Sequence, residues 1–304
     1  MHAYLIIAHE HFKLLEYLIS CIDDRRNDIY IHFNQLDGVI PFDQIEKQAK
    51  YSKVYFAPRV KIYRGSFSIM EATFSLLTSA TSTKEYEYYH LLSGQDLPIK
   101  TQSFIHDFFK IEGKNTYNFV DIRPAGLMGR EWQERTSLHW FLMKYYLEKG
   151  FSGVVSRLLN DILHRFERLI KVDRTRKYKT YSFSFGSSWF SITNSFANFL
   201  ISKHDEIKAV FGQGYIPEES VLQTLLISTE FKDTVYYSKT IDGVPGNFRK
   251  IEWDKGVSPR VLTSKDYDNL INSPCLFARK FDENVDLSVI ELIAKEVIDV
   301  GERL

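Results

Sequence analysis

Residues 3–8 read AYLIIA and are followed at once by His9-Glu10-His11. Six apolar positions without polar alternation predict a strand buried on both faces, as parallel sheets require. Residues 12–21 continue as a helix, with Leu14, Leu15, Leu18 and Ile19 on one side. A second strand is expected at 29–33, IYIHF, with a polar exit from Asn34 to Gly38. A short helix over 41–50 and a third strand at 54–56 come next. Gly65-Ser66-Phe67-Ser68 opens a helix running to about residue 78. Residues 86–92, YEYYHLL, form a fourth strand, which exits through Ser93-Gly94-Gln95-Asp96. This alternation predicts an α/β fold, a mostly parallel central sheet flanked by helices. Ligands of such sheets bind beyond the carboxyl ends of the strands, where His9, Asn34 and Asp96 fall.

The middle of the chain differs. Residues 121–176 are rich in Arg, Trp and Tyr, with helical periodicity from 138 to 170. Arg165, Arg168, Lys171, Arg174, Arg176, Lys177 and Lys179 form a basic run. Such a run is ordinarily a solvated helix face and its exit loop; contact with anionic lipid headgroups or a charged acceptor is the alternative. Residues 181–193, YSFSFGSSWFSIT, alternate around Gly186 and predict strands broken by a close backbone approach. A helix over 194–202, strands at 235–237 and 248–253, and a helix over 264–272 are expected next. Residues 276–281, LFARKF, lead into a final helix over 285–300.

Composition excludes several classes. With 39 basic and 39 acidic side chains the chain has no global field to recruit nucleic acid. Cys21 and Cys275 are too few for a disulfide framework or a cysteine-rich metal site. No segment approaches the roughly 20 apolar residues that span a bilayer, and the N-terminus lacks the basic region and longer apolar run of a secretory signal. A cytoplasmic protein is expected, with peripheral contact at the inner, anionic face of the membrane as the alternative to a fully soluble one.

Chemistry concentrates at residues 215–226, YIPEESVLQTLL. Pro217 suits a first helical position, and Glu218 and Glu219 fall in the first turn, where the helix dipole favours negative charge. Val221, Leu222, Leu225 and Leu226 form the apolar stripe behind them. A carboxylate held there is expected to stay ionised at neutral pH, as a general base must; ordinary capping is the competing reading. A Gly-x-Gly-x-x-Gly loop, a P-loop, a Gly-x-Ser-x-Gly elbow and a His-Glu-x-x-His pair are all missing. No Asp-x-Asp pair follows a mid-chain strand, and Asp96 stands alone after Gly94-Gln95. Arg260 and Lys280 are late cations suited to a diphosphate, Arg by bidentate contacts and Lys as a point charge.

Taken in order, several stretches resemble the core-2/I-branching β-1,6-N-acetylglucosaminyltransferases and their peptide O-xylosyltransferase relatives. Ser93-Gly94-Gln95-Asp96-Leu97-Pro98-Ile99-Lys100-Thr101 is similar to that family's small-Gly-x-Asp-x-Pro-Ile-Lys-Thr run. Residues 6–10 and Ile31-His32-Phe33-Asn34 resemble its first two strand ends, with Asn34 where the family usually has Asp. Gly65-Ser66-Phe67-Ser68, Phe185-Gly186-Ser187-Ser188-Trp189-Phe190, Pro217-Glu218-Glu219 and residues 276–282, LFARKFD, complete the series.

The resemblance implies a GT-A-like fold forming one domain over 1–304. Within it, 1–110 would bind the nucleotide sugar, 111–180 would be a variable helical acceptor region, and 181–304 would hold the base and the diphosphate. It implies inverting, metal-independent transfer of a sugar, N-acetylglucosamine first, from a UDP-sugar to a hydroxyl of a glycan or lipid-linked oligosaccharide. The product expected is a β-linkage in surface polysaccharide or oligosaccharide made by a short, bacterial-type member. Glu219 falls on the family's base. Ala8, His9, Asn34, Ser66, Asp96, Arg260 and Lys280 fall on donor contacts, and Gly186, Ser187, Glu218, Trp253, Glu131 and Glu134 on the acceptor side. No metal and no cofactor are expected. Xylose, glucose or galactose donors, and a non-catalytic glycan-binding protein on the same scaffold, are the alternatives.

Overall fold

The computed structural model describes residues 1–110, 116–123, 129–236, 243–254 and 258–299. Nine strands form two sheets: β1 (His2–Ala8), β2 (Asn27–Phe33), β3 (Lys53–Phe56), β4 (Tyr88–Ser93), β5 (Asp96–Pro98), β6 (Phe119–Val120), β7 (Phe190–Thr193), β8 (Arg249–Ile251) and β9 (Phe277–Arg279), among the described residues. The larger sheet has the order β3-β2-β1-β4-β7-β6. Its first four strands are parallel, while β7 runs antiparallel to both β4 and β6. The predicted α/β class, with a mostly parallel central sheet flanked by helices, is therefore present.

The opening apolar run is the middle of this sheet. Tyr4, Ile6 and Ala8 pack into one core with the helix Phe12–Ile22 and the C-terminal helix Leu287–Asp299. Ala3 and Leu5 face the opposite core, with the helices Ser68–Thr83 and Asn194–Ser202. Burial on both faces is why the strand shows no alternation. From β1 the chain moves outward to β2 and β3 on one side and to β4 on the other. The crevice at such a reversal is where open α/β sheets bind ligands. Here Gly94 N–H donates to Ile7 O at 3.0 Å, and a side chain at Gly94 would meet Ala8.

A smaller sheet, β5-β9-β8, lies beyond that edge. It pairs Asp96 with Arg279 across β5 and β9, and Ile251 with Arg279 across β8 and β9. Both sheets thus mix strands from the N-terminal and C-terminal parts of the chain.

Several expectations need correction. The region 138–170 is mostly helical, as its period predicts, with helices Met143–Tyr146 and Phe151–Leu169, while residues 138–142 run outside any helix. Buried side chains of the long helix hold that segment's backbone instead. Within 181–193 only Phe190–Thr193 is a strand, and Phe185 makes an isolated bridge to Arg123. At 235–237 there is a single bridge from Asn118 to Val235, and residue 237 lies outside the described residues. The helices Gln102–Lys110 and His204–Phe211 were not expected.

Candidate active site

Glu218 and Glu219 do not sit in the first turn of an α-helix. They occupy a separate 3-10 turn, Pro217–Glu219, and the apolar helix begins at Val221. Ile216, which enters the turn, has φ 51°. A left-handed β-branched residue costs on the order of 1–2 kcal/mol and persists only where its surroundings hold it. Three parts of the chain do so. Ile216 N–H donates to Gly65 O at 2.9 Å, Tyr215 N–H to Arg135 O at 2.8 Å, and Gly186 N–H to Glu219 O at 2.9 Å. The turn is thus a junction between the Gly65 loop, the middle region and the 185–193 segment.

Two glycines permit this approach. Gly65 has φ 81°, and an added Cβ would lie 2.7 Å from the Tyr215 ring. At Gly186 an added Cβ would fall 1.8 Å from Asp121 O. Gln223 is buried behind the segment and donates to Ser187 O at 2.8 Å.

The two carboxyls have different surroundings. Glu219 Oε2 accepts from Arg135 Nη1 at 2.7 Å. Burial raises its pKa, and Arg135 opposes that rise. Glu218 Oε2 is enclosed and has no hydrogen-bond partner. Burial, with the neighbouring Glu219 charge adding to it, pushes this carboxyl up to about 8. The favourable dipole expected for both acids does not act on Glu218, which burial keeps protonated at neutral pH. The two acids thus differ in their partners, Glu219 facing a guanidinium and Glu218 none, an arrangement that separates proton donor from proton acceptor.

Arg135 had no distinguishing signal within its Arg-Glu-Trp-Gln-Glu-Arg surroundings. Its guanidinium lies 3.7 Å from the Trp132 ring centroid and 5.7 Å from that of Tyr215. Trp140 stacks on Tyr215 at 4.6 Å, so the cation that meets Glu219 is set among aromatic rings. Such faces suit sugar rings as well as cations.

The other expected residues divide into groups. Ser66 adjoins the Gly65 contact and donates to Tyr63 O at 2.8 Å. Ala8 and His9 lie at the β1 exit; His9 is exposed beside Glu10. Asn34 is occupied: its Oδ1 accepts from Leu36 and Ile62 N–H, and its Nδ2 donates to Ile62 O. Asp96 is buried and accepts from Ser93 N–H and Ser93 Oγ, with Arg279 Nε 3.4 Å away. It fixes the β4–β5 corner rather than facing solvent. Glu134 is bound by Arg130 and Arg168, at 2.6 and 2.7 Å, and ties two helices together; Glu131 is exposed.

The smaller sheet gathers the cations. Arg260 N–H donates to Glu252 O at 2.8 Å, and Leu262 N–H to Lys280 O at 2.9 Å, which sets the backbones around Arg260 and Lys280 side by side. Arg260 makes two 2.8 Å bonds to Asp266, which hold that carboxyl down to about 2. Lys280 has no ion-pair partner among the described residues. Trp253, 58% exposed, pairs with Pro259 one residue before Arg260. Arg279 lies, mostly buried, over Trp189 at 4.1 Å from its ring, and so links this sheet to the segment whose Gly186 holds Glu219. No group of three or more His, Cys, Asp or Glu side chains able to hold a metal occurs among the described residues.

A family model described as Core-2/I-Branching enzyme matches residues 2–271. Xylosyltransferase 2 of Rattus norvegicus is 22% identical over 325 aligned residues, covering 96% of this chain and 33% of that protein. The chain thus spans about a third of the length of the xylosyltransferases it matches. The Homo sapiens N-acetyllactosaminide beta-1,6-N-acetylglucosaminyl-transferase is 24% identical, with 96% of this chain and 70% of that protein covered. Among solved structures, the apo-form glycosyltransferase GlyE of Streptococcus pneumoniae TIGR4 aligns at TM-score 0.40 and 12% identity, over 99% of this chain and 64% of that one.

Proposed function

Because the chain belongs to the Core-2/I-Branching enzyme family, we propose that it is an inverting glycosyltransferase that moves a sugar from a UDP-sugar to a hydroxyl of a glycan acceptor. The observation that carries this reading is the acid pair at the three-way junction, with Glu219 paired to Arg135 and Glu218 enclosed and pushed up to about 8 beside it. In a single displacement one base removes the acceptor proton while oxygen attacks the anomeric carbon opposite the leaving nucleotide. Glu219 takes that proton. Glu218, protonated, donates a hydrogen bond to the acceptor sugar. Trp132 and Tyr215 hold the Arg135 guanidinium that faces Glu219.

The leaving diphosphate gathers negative charge, and fixed cations in a site shielded from water stabilise it. Lys280 and Arg260 supply that charge on the small sheet, so the reaction proceeds without a divalent ion. Trp253 offers an exposed ring beside them. The donor is UDP-N-acetylglucosamine on the strength of the family resemblance. UDP-xylose is the second reading, supported by the similarity to xylosyltransferases.

The test is transfer from a panel of UDP-sugars in excess chelator. Activity is expected with chelator present, and Glu219→Gln should lower kcat at least about a hundredfold, the scale of a general base. Full activity in Glu219→Gln would remove Glu219 from the reaction. Loss of wild-type turnover in chelator, restored by a divalent ion, would overturn the metal-free mechanism.

A further inference from the structure

The helix Phe151–Leu169 is amphipathic in the reverse sense. Its buried positions are Gly153, Ser156, Asn160, His164 and Glu167. Its exposed positions include Phe151, Leu158, Ile162, Phe166 and Leu169, with Phe151 84% and Leu169 78% exposed. At about 100° per residue these five fall on one stripe, opposite the polar one. The stripe runs about 28 Å, from 19 residues at 1.5 Å each.

The inward polar face is fully used, which fixes the orientation of the helix. Asn160 exchanges two hydrogen bonds with the Phe141 backbone, at 2.8 and 2.9 Å. Ser156 Oγ donates to Leu142 O at 3.1 Å, and His164 Nε2 to His139 O at 2.9 Å. Glu167 accepts from His139 N–H at 3.1 Å. Rotating the apolar stripe inward would leave residues 139–142 without these partners, and buried backbone groups are rarely unpaired. The apolar face must therefore be covered from outside.

Charge selects the cover. The whole chain is neutral, yet residues 148–179 carry nine basic against four acidic side chains. Arg165, on the edge of the stripe, and Lys171 and Lys179, beyond its end, are exposed and have no acidic partner among the described residues. A second copy would bring like charges to the same interface. A basic rim around an apolar helical face is the pattern of a helix lying in the headgroup region of an anionic bilayer. We infer that the Phe151–Leu169 helix lies in the plane of an anionic membrane, its apolar stripe inserted and its basic end among the headgroups. No helix of the described residues is long and apolar enough to cross a membrane, so the contact is peripheral.

The test is independent of the sugar chemistry. Leu158→Cys can be labelled selectively with an environment-sensitive dye, because Cys21 and Cys275 are both buried. The full chain is mixed with phosphatidylcholine vesicles, with and without phosphatidylglycerol, and co-sedimentation and dye emission are read together. Binding to the anionic vesicles with a blue-shifted dye is expected, weakening as salt screens the headgroups. Ile162→Asp should reduce the partition coefficient about tenfold while the melting temperature holds, because the position is exposed. Arg165→Glu with Lys171→Glu should reduce it as well. Equal partition to neutral vesicles, or full binding by Ile162→Asp, overturns the assignment. So does a dimer in sedimentation velocity that Ile162→Asp dissociates, without vesicle binding, since the cover is then a second copy.

Discussion

Replacing Glu218 by Gln should make the protein more stable at alkaline pH, and the size of the effect follows from its surroundings. The enclosed carboxyl titrates at about 8 in the fold against an ordinary 4.5, and burial is the largest cause. Between those values the native state keeps a proton that the unfolded chain has released. Stability from this group is therefore fully present below pH 4.5 and is lost as pH rises through about 8. The upper bound on the loss, at 1.36 kcal/mol for each tenfold change in proton affinity, is about 5 kcal/mol. Gln keeps the shape and cannot ionise, so the variant should lack this slope. Glu219, also raised by burial, contributes a smaller slope of the same sign in both proteins. Urea unfolding followed by circular dichroism from about pH 5 to about pH 9 measures the difference. The two unfolding free energies should converge at the acid end and separate by about a few kcal/mol at the alkaline end. Parallel profiles would mean that Glu218 titrates as an ordinary carboxyl, and the division of labour between the two acids would fall with it.

Arg135→Met removes the charge that opposes the upward shift at Glu219, so the acidic limb of kcat/KM should move to higher pH while the alkaline limb stays; a pH–rate profile reads this. Gly186→Ala forces a methyl against Asp121 O and should cost about 3 kcal/mol or more, read as a lowered melting temperature. Arg260→Ala should weaken UDP binding about tenfold or more in a calorimetric titration, with the remaining affinity less sensitive to salt. An unchanged affinity there would leave Arg260 as the partner of Asp266 alone.

The sheet was legible because its strands are buried on both faces: AYLIIA and IYIHF carry their fate in unbroken apolar runs. The helix Asn194–Ser202 was found at its observed bounds, with Thr193 capping it. Residues 138–142 lie outside the helices of their mostly helical region because their backbone partners are the side chains of Ser156, Asn160 and His164, up to about 25 positions away. The inverted helix followed the same logic. Its period was visible, but which stripe faces inward depends on those distant bonds. At the site, Pro217-Glu218-Glu219 was visible as a chemical group, whereas Arg135 was not. Its meeting with Glu219 is a contact across 84 positions, set by Tyr215 pairing with the Arg135 backbone. Asn34 and Asp96 show the reverse: polar residues at strand exits whose bonding is used by the fold itself.

Adjacent identical side chains can carry opposite protonation states when only one can reach a cation. Glu219 meets Arg135 at 2.7 Å, whereas Glu218 turns an oxygen into enclosed space with no donor. One cation beside two acids favours one ionisation, and the first carboxylate then raises the second. The 3-10 turn makes this asymmetry possible, because its tighter winding points successive side chains in different directions from the same short segment. A continuous α-helix from Pro217 would offer both carboxyls the same dipole at its first turn and would favour charge on each. The left-handed Ile216, held by Gly65, comes directly before that turn, where it separates the acid pair from the preceding chain. Strain at Ile216 and the split between the two acids are thus one structural feature, and loss of the Gly65 contact should disturb both.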